Sequence, residues 1–177
     1  MPRVTRVEKA RKDYPEAGIS KGDTYYHWSF RYGGKHRSKD RPRPSQLTQS
    51  KLSGAYAAQE SIEDLSGETD IDTIRSVVES AISEIQEVAE EYRDSADTIR
   101  ETFSESPTAD ECEEKAEALE SYAEELEGVT LDEWSDEPDE DDKATWGDET
   151  SYAEALEAYQ AWVTNIVDEL TGASLDV

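Results

Sequence analysis

Residues 21–51, KGDTYYHWSFRYGGKHRSKDRPRPSQLTQSK, concentrate aromatic and positively charged side chains in one short segment. Within it, residues 24–32 alternate in the manner of a β-strand, whose successive side chains point to opposite faces. One face holds Tyr26, Trp28, Phe30 and Tyr32, and the other holds Tyr25, His27, Ser29 and Arg31. We predict that the first of these faces forms the core of a small β module.

The same segment predicts a β-hairpin followed by a stiff connector. Gly33 and Gly34 can adopt the positive φ angles of a tight two-residue turn, so residues 35–39 should return as the second strand. Residues 41–44, Arg-Pro-Arg-Pro, favour an extended chain, because proline fits neither a strand ladder nor a helix interior. Residues 1–12 are predicted to be either an arm or a first strand. We therefore expect a basic, aromatic β-hairpin head over residues 1–44.

The chain beyond residue 44 predicts amphipathic helices. Ser45 is expected to cap a first helix that Ser66 and Gly67 end, and Thr69 to open a second, longer one. Apolar residues of the second helix recur at spacings of three and four, a heptad pattern with one stutter. They are Ile71, Ile74, Val78, Ala81, Ile85, Val88, Tyr92, Ala96, Ile99 and Phe103.

Two further helices are predicted. A third should begin near Pro107, repeat the three-four spacing up to Gly128, and fold back on the second. Residues 129–148 form an acidic linker in which ordered structure is not expected throughout. Ser151 and Glu154 form a capping box that opens a last amphipathic helix, which should end at Gly172 and pack on the others.

The predicted fold class is therefore mainly α, with a small N-terminal β-hairpin module followed by an antiparallel helical bundle or coiled coil. Its parts are the head at 1–44, a helical hairpin or bundle at 45–128, the acidic linker at 129–148 and a C-terminal helix at 149–177. Many seam positions are Ala, so each helix buries little area and self-association is a further expectation.

Charge is divided unevenly along the chain. Residues 1–51 contain 13 Lys+Arg and 5 Asp+Glu, a net charge of +8, whereas the remainder contains 5 and 39, a net charge of −34. The whole chain of 177 residues therefore has a formal net charge of −26. This division favours polyanion binding by the basic part, docking of the basic part on the acidic part, or competition by the acidic part for basic partners. Strong acidity is also typical of adaptation to high salt.

Several classes of function are not expected. Cys112 is the only cysteine, so no intrachain disulfide or cysteine metal cage can form, and it should be a small apolar residue of a helix seam. No apolar run suits a membrane span or a signal peptide, which favours a cytoplasmic protein. His27 and His36 flank the predicted turn but make a weak metal signal. No catalytic or cofactor motif is present, so we expect neither an enzyme nor a cofactor.

The run from residue 10 to residue 52, ARKDYPEAGISKGDTYYHWSFRYGGKHRSKDRPRPSQLTQSKL, resembles the N-terminal segment of small uncharacterised proteins carried by bacteriophages and prophages. Relatives of that segment look like zinc ribbons, with a Cys-x-x-Cys knuckle on each side of the hairpin. Here the two positions read Asp-Tyr-Pro-Glu (13–16) and Arg-Ser-Lys-Asp (37–40), so a thiolate zinc site is excluded. The resemblance implies a degenerate, ribbon-like fold held by aromatic packing and a phage-borne accessory role, in the host cytoplasm, without implying any chemistry.

Aromatic residues interleaved with cations are typical of surfaces that bind single-stranded nucleic acid, because rings stack on bases while cations neutralise phosphate. The candidate surface comprises Tyr25, His27, Arg31, Lys35, Arg37, Lys39, Arg41 and Arg43. Alternatively, the rings form only the core of the module and the cations are solvated or docked on the acidic helices.

We therefore predict a non-catalytic, phage-type binding protein. Its head contacts nucleic acid or a nucleoprotein complex, and its acidic helices bind a host or phage protein or a second copy of the chain. One alternative is an anti-defence decoy: carboxylates along helices imitate the phosphate rows of DNA and occupy the basic groove of a host defence or DNA-processing protein. A second alternative is a virion or assembly component, which fits the heptads equally well.

Overall fold

Three short antiparallel strands begin the fold in the computed structural model, which describes residues 1–132, 136–139, 141 and 151–175. They are β1 (Thr5–Val7), β2 (Tyr25–Ser29) and β3 (Lys35–Ser38), in the order β1-β2-β3. The central strand is β2, whose Tyr26 lies opposite Arg6 of β1 and Ser38 of β3. Residues 1–12 were predicted to be either an arm or a first strand, and the structure shows the strand β1 within them.

The loop between β2 and β3 is longer than predicted. Ser29 pairs with Lys35, so residues 30–34 all lie in the loop. Neither Gly33 nor Gly34 has a positive φ, and the Gly33 N–H donates to the Phe30 carbonyl oxygen at 3.3 Å, which closes an ordinary β-turn. The predicted two-residue turn is wrong, because β2 ends three residues before the aromatic alternation does.

The rings of β2 pack on both faces of the sheet. Tyr25 is buried in a cluster with Ala10 and Ile19, which the half-buried Val7, Tyr14 and Ala17 complete. The segment between β1 and β2 covers this face and is held by a bridge between Tyr14 and Ile19. The other face is the one predicted to be the core.

Only part of the predicted core face is buried. Trp28 is buried and Tyr26 and Phe30 are half-buried, but Tyr32 is 90 % exposed. The prediction for Tyr32 is therefore wrong, because the strand has ended by Ser29 and the strand alternation no longer decides which side chains are covered.

The connector leads to a short 3-10 turn at Pro44–Leu47 and then to helix α1 at Leu52–Glu63. Ser45 does not cap α1 as predicted, because Thr48 is extended (φ −117°, ψ 131°) and separates the turn from the helix. The Ser45 carbonyl instead accepts a hydrogen bond from the Ser53 hydroxyl at 3.0 Å.

Three longer helices follow: α2 (Ile71–Thr102), α3 (Pro107–Glu127) and α4 (Tyr152–Gly172). The N-cap of α2 is Asp70 rather than the predicted Thr69, since the Asp70 carboxylate accepts from the Asp72 N–H at 3.3 Å. None of the helices in the described part of the chain is long and apolar enough to cross a membrane.

Two of the predicted helix starts are confirmed. Ser106 is the N-cap of α3, with Pro107 as its first residue. At α4, the Ser151 hydroxyl accepts from the Glu154 N–H and the Glu154 carboxylate accepts from the Ser151 N–H, so the predicted capping box is present.

Helix α3 runs back antiparallel along α2, and three polar pairs join the two helices. Gln86 donates to Glu127 at 2.9 Å, Arg93 pairs with Glu120 at 2.5 Å, and Arg100 pairs with Glu113. Each step of seven residues along α2 is matched by a step of seven back along α3. The apolar seam of α2 is buried from Ile71 to Ala96. The three polar pairs are therefore spaced one heptad apart.

Two predictions about the helical part need qualification. Phe103 was expected to end the α2 seam but is 64 % exposed, because the helix ends at Thr102 and Phe103 is its C-cap. Within the predicted acidic linker, residues 133–135, 140 and 142–148 lie outside the described residues. Before that gap, the Arg75 guanidinium donates to the Leu131 carbonyl oxygen at 3.1 Å.

The chain divides into two compact units, Met1–Ser53 and Gly54–Val177. We call them the N-terminal unit and the helical unit. The three strands belong to the first, and α2, α3 and α4 belong to the second.

Candidate nucleic-acid interface

The most exposed aromatic ring of the N-terminal unit lies in the hairpin loop. Tyr32 is 90 % exposed, and the Arg31 guanidinium lies over its ring, 5.3 Å from the centroid. Arg31 is itself exposed, as is Lys35 at the start of β3. The loop therefore presents one aromatic ring together with two cations, a combination that is typical of surfaces that bind single-stranded nucleic acid.

Aromatic contacts anchor the base of this loop. The His36 ring stacks on Trp28 at 5.6 Å with an interplanar angle of 18°, and the Phe30 ring meets His36 edge-on at 5.5 Å. Trp28 and His36 are register partners on β2 and β3. The two ends of the loop are thus held by packed rings, while Arg31 and Tyr32 lie beyond them.

Gly33 is required by a close approach rather than by its φ angle. A Cβ added at Gly33 would lie 3.2 Å from the Gln49 amide nitrogen and 3.3 Å from the Phe30 Cβ. Both distances are shorter than an ordinary van der Waals contact. A Cβ at this position would require the Gln49 side chain and Phe30 to shift by a few tenths of an ångström.

Three of the predicted contact residues lie against the core cluster. Tyr25 is buried, and half-buried His27 lies beside it with a ring separation of 6.2 Å. The Arg37 guanidinium covers the ring of Tyr14, 4.3 Å from the centroid. Burial and a hydrogen bond with Tyr14 raise the pKa of Tyr25, and the positive charge of Arg37 opposes that shift. We assign these three residues to the fold of the unit rather than to a binding surface.

The remaining predicted residues are exposed cations. Arg31 and Lys35 lie in and beside the loop, and Arg41 lies on the connector; none of these three forms an ion pair with a carboxylate in the described residues. Lys39 lies 3.9 Å from the Asp23 carboxylate. Arg43 is exposed, and its backbone N–H donates to the Gln46 side chain at 3.2 Å.

Tyr32 is an exposed aromatic residue that the sequence interpretation did not place on the candidate surface. It was placed on the core face because it continues the alternation of β2. Its position directly before Gly33 was a signal against that placement, since a residue next to a turn is seldom covered by strand packing.

The Lys and Arg residues described in the helical unit contact carboxylates or an aromatic ring. Arg75, Arg93 and Arg100 all form ion pairs with carboxylates, and the Lys115 ammonium lies over the ring of Tyr92 at 5.8 Å. The Arg100 guanidinium also lowers the pKa of Glu113. Every Lys and Arg that the structure describes between residues 54 and 175 therefore has an anionic or aromatic partner.

An acidic groove lies between α2 and α3. Its volume is about 600 Å³, and its lining contains six carboxylates and one guanidinium. The lining residues are Gln86, Glu90, Arg93, Asp94, Asp97, Glu120, Ala123, Glu124 and Glu127. The lining gives this concave surface a strongly negative charge.

Neither metal nor thiol chemistry gains support from the described residues. His27 pairs with Arg37 and His36 with Trp28, so the two histidines lie on opposite faces of the sheet and cannot share a metal ion. No group of three or more His, Cys, Asp or Glu residues converges there as a metal site. Cys112 is half-buried on α3, a more open position than the apolar seam predicted for it.

Comparison of the chain with protein-family models, with curated proteins and with solved structures finds no match. The resemblance to phage-borne proteins therefore stays a prediction, and functional inference rests on the surfaces described above.

Proposed function

We propose that the N-terminal unit binds nucleic acid, or a nucleoprotein complex, through its hairpin loop and connector. The observation that carries the proposal is that Arg31, Lys35 and Arg41 are exposed and form no ion pair with a carboxylate in the described residues. Three of the four cations described in the helical unit, in contrast, form ion pairs with carboxylates. Phosphate binding needs accessible cations that can take the place of the counterions of the nucleic acid, and Arg31, Lys35 and Arg41 are such cations.

The proposed role is that of a non-catalytic adaptor. Three exposed cations predict a modest affinity that falls as salt rises, with a slope of roughly −2 to −3 in a plot of log K against log salt concentration. Contacts of this kind carry no sequence information, so selectivity has to come from elsewhere in the surface. Such a contact would be made in the cytoplasm, where we propose that the protein acts, in keeping with the phage-borne accessory role.

We further propose that the helical unit forms an antiparallel bundle or coiled coil that holds a protein partner. Polar pairs between α2 and α3 one heptad apart support this arrangement. The paired cations leave the unit with unpaired carboxylates in large excess, so the partner should be basic.

The acidic groove between α2 and α3 favours a second candidate function, that of an acidic decoy for a DNA-binding protein. Six carboxylates along two helices give the groove the charge of a phosphate row. In this case the functional surface is the groove, and the hairpin loop would have no part in inhibition.

Fluorescence anisotropy of the full chain with labelled DNA and RNA at low and moderate salt tests the proposal. Replacing Arg31 and Lys35 together by Glu should weaken binding at least tenfold at low salt, because two attractions become repulsions. Lys21→Glu is the matched control: Lys21 is exposed and precedes β2 at the end far from the loop, so its reversal should change affinity by about twofold or less.

Two results would overturn the proposal. One is the absence of binding by the wild-type chain to any oligonucleotide at low salt. The other is an equal loss of affinity in the double variant and in Lys21→Glu, which would indicate a diffuse charge effect. If the wild-type chain instead inhibits a DNA-processing protein and the double variant inhibits equally well, the decoy function is favoured.

A further inference from the structure

We propose that the ring of Tyr32 stacks on an unpaired base, so that the ligand of the N-terminal unit is single-stranded nucleic acid. This inference rests on the proposed function and names the ligand class of the same surface. Three observations support it: the ring of Tyr32 is exposed, the Arg31 guanidinium lies over that ring, and packed aromatic rings hold the two ends of the loop.

The Tyr32 ring has an accessible face. Its side chain is 90 % exposed, and the one contact that the structure describes for its ring is with the Arg31 guanidinium, 5.3 Å from the centroid. A guanidinium over an aromatic ring polarises it and lies where a neighbouring phosphate can also be reached. The ring can therefore receive a base while the cation beside it neutralises the backbone of the same nucleotide.

The loop also restricts the freedom of this ring. The turn is closed by the Gly33 to Phe30 hydrogen bond, and Phe30 packs on His36, which stacks on Trp28. A ring on a fixed turn loses less conformational entropy on binding than one on a mobile segment.

Geometry selects single strands over duplexes. In a duplex both faces of each internal base are covered by neighbouring bases, so a protein ring can stack only after a base has been displaced. In a single strand the faces are accessible, and stacking is tolerant of sequence because every base has a π face. One exposed ring can stack on one base. We therefore expect a short binding site and an affinity only modestly higher than that of phosphate contacts alone.

An abasic oligonucleotide separates stacking from charge. Anisotropy with the full chain would compare a labelled thymidine oligonucleotide of about 12 nucleotides, an abasic strand of the same length, and a duplex of the same length. We expect the wild-type chain to bind the thymidine strand roughly tenfold more tightly than the abasic strand, which has the same phosphates and no bases. It should bind the duplex less tightly than the thymidine strand, although the duplex has the higher charge density.

Substitution of the ring then gives the decisive comparison. Tyr32→Ala should abolish the preference for the thymidine strand without changing affinity for the abasic strand, and Tyr32→Trp should keep or increase that preference. Phe103→Ala is the matched control, because Phe103 is also an exposed aromatic residue, 64 % exposed, but lies in the helical unit. It should change neither affinity.

The outcomes separate the inference from the function on which it rests. Equal affinity of the wild-type chain for thymidine and abasic strands, a preference for duplex, or an unchanged preference in Tyr32→Ala would overturn the inference and leave phosphate binding intact. Failure to bind all three oligonucleotides would overturn both. Binding of anionic vesicles that depends on Tyr32, without oligonucleotide binding, would also overturn both and assign the loop to lipid surfaces.

Discussion

The guanidinium of Arg37 lies 4.3 Å from the ring centroid of Tyr14, and Tyr14 in turn packs against Tyr25 at 5.6 Å. This contact joins β3 to the segment that connects β1 with β2 and covers one face of the sheet. Arg37 is therefore a structural residue of the N-terminal unit, although the sequence pattern grouped it with the nucleic-acid contacts.

Arg37→Glu should destabilise the N-terminal unit, because it removes the cation from the Tyr14 ring. We expect a loss of roughly 1 kcal/mol, the usual size of a partly buried cation–π contact. Hydrogen exchange of the β2 amides would show this loss as a roughly fivefold drop in protection. Lys35→Glu, an equal change in charge at an exposed site, should leave protection nearly unchanged, and an equal drop in both variants would contradict the structural role.

Tyr122→Phe should stabilise the helical unit. The Tyr122 hydroxyl on α3 is buried and has no hydrogen-bond partner among the described residues. Removing an unsatisfied polar group while keeping the ring should raise the free energy of unfolding by about 1 kcal/mol. Urea titration followed by far-ultraviolet circular dichroism measures this, and a variant less stable than the wild type would show that the hydroxyl has a partner.

The same hydroxyl predicts a dependence of stability on alkaline pH. Burial, with the nearby Glu63 and Glu125 carboxylates, raises the pKa of Tyr122 from 10.0 to about 12. Above pH 10 the unfolded chain loses this proton while the folded chain keeps it, so the free energy of unfolding falls as pH rises from 10 toward 12.

By pH 12 this decline should reach roughly 2 kcal/mol. Tyr122→Phe lacks the ionising group, so urea titrations from pH 9 to pH 12 should show a decline smaller by about that amount. Identical slopes in the two proteins would mean that Tyr122 ionises equally in both states.

Gly67→Ala should destabilise the turn after α1. Gly67 has a φ of +86°, and a Cβ added there would meet no atom within 4 Å, so the expected cost is backbone strain alone. That cost is about 1 kcal/mol for Ala and less for Asn. Gly172→Ala is the control: its Cβ also has open space, its φ is not positive, and thermal unfolding should show equal or higher stability.

Local signals allowed the helices to be predicted. The capping box at Ser151, the proline at the start of α3 and the heptad spacing of α2 each act over a few residues, and each is present in the structure. Such signals do not always give the correct helix start. Ser45 was predicted to cap α1, but the chain is extended at Thr48 and α1 begins at Leu52.

The sheet and the candidate site were harder to predict, because they depend on contacts between distant residues. Nothing near Tyr25 in the sequence shows that Ala10 and Ile19 cover it. The exposed cations Arg31 and Lys35 followed from local charge, whereas the contact of Arg37 with Tyr14 joins residues that are more than twenty positions apart. Predicting that Tyr32 is exposed requires knowing that β2 ends at Ser29, and the alternating pattern does not show where the strand ends.

The matched steps of seven residues between α2 and α3 have a consequence for how the length of this hairpin can change. Removing or adding one heptad in both helices together keeps Gln86 facing Glu127 and restores the same pairing further along. If seven residues are added to one helix alone, their apolar side chains have no residues of the other helix to pack against. Related chains should therefore differ in hairpin length by paired blocks of seven, and a designed chain shortened in this way should keep its register.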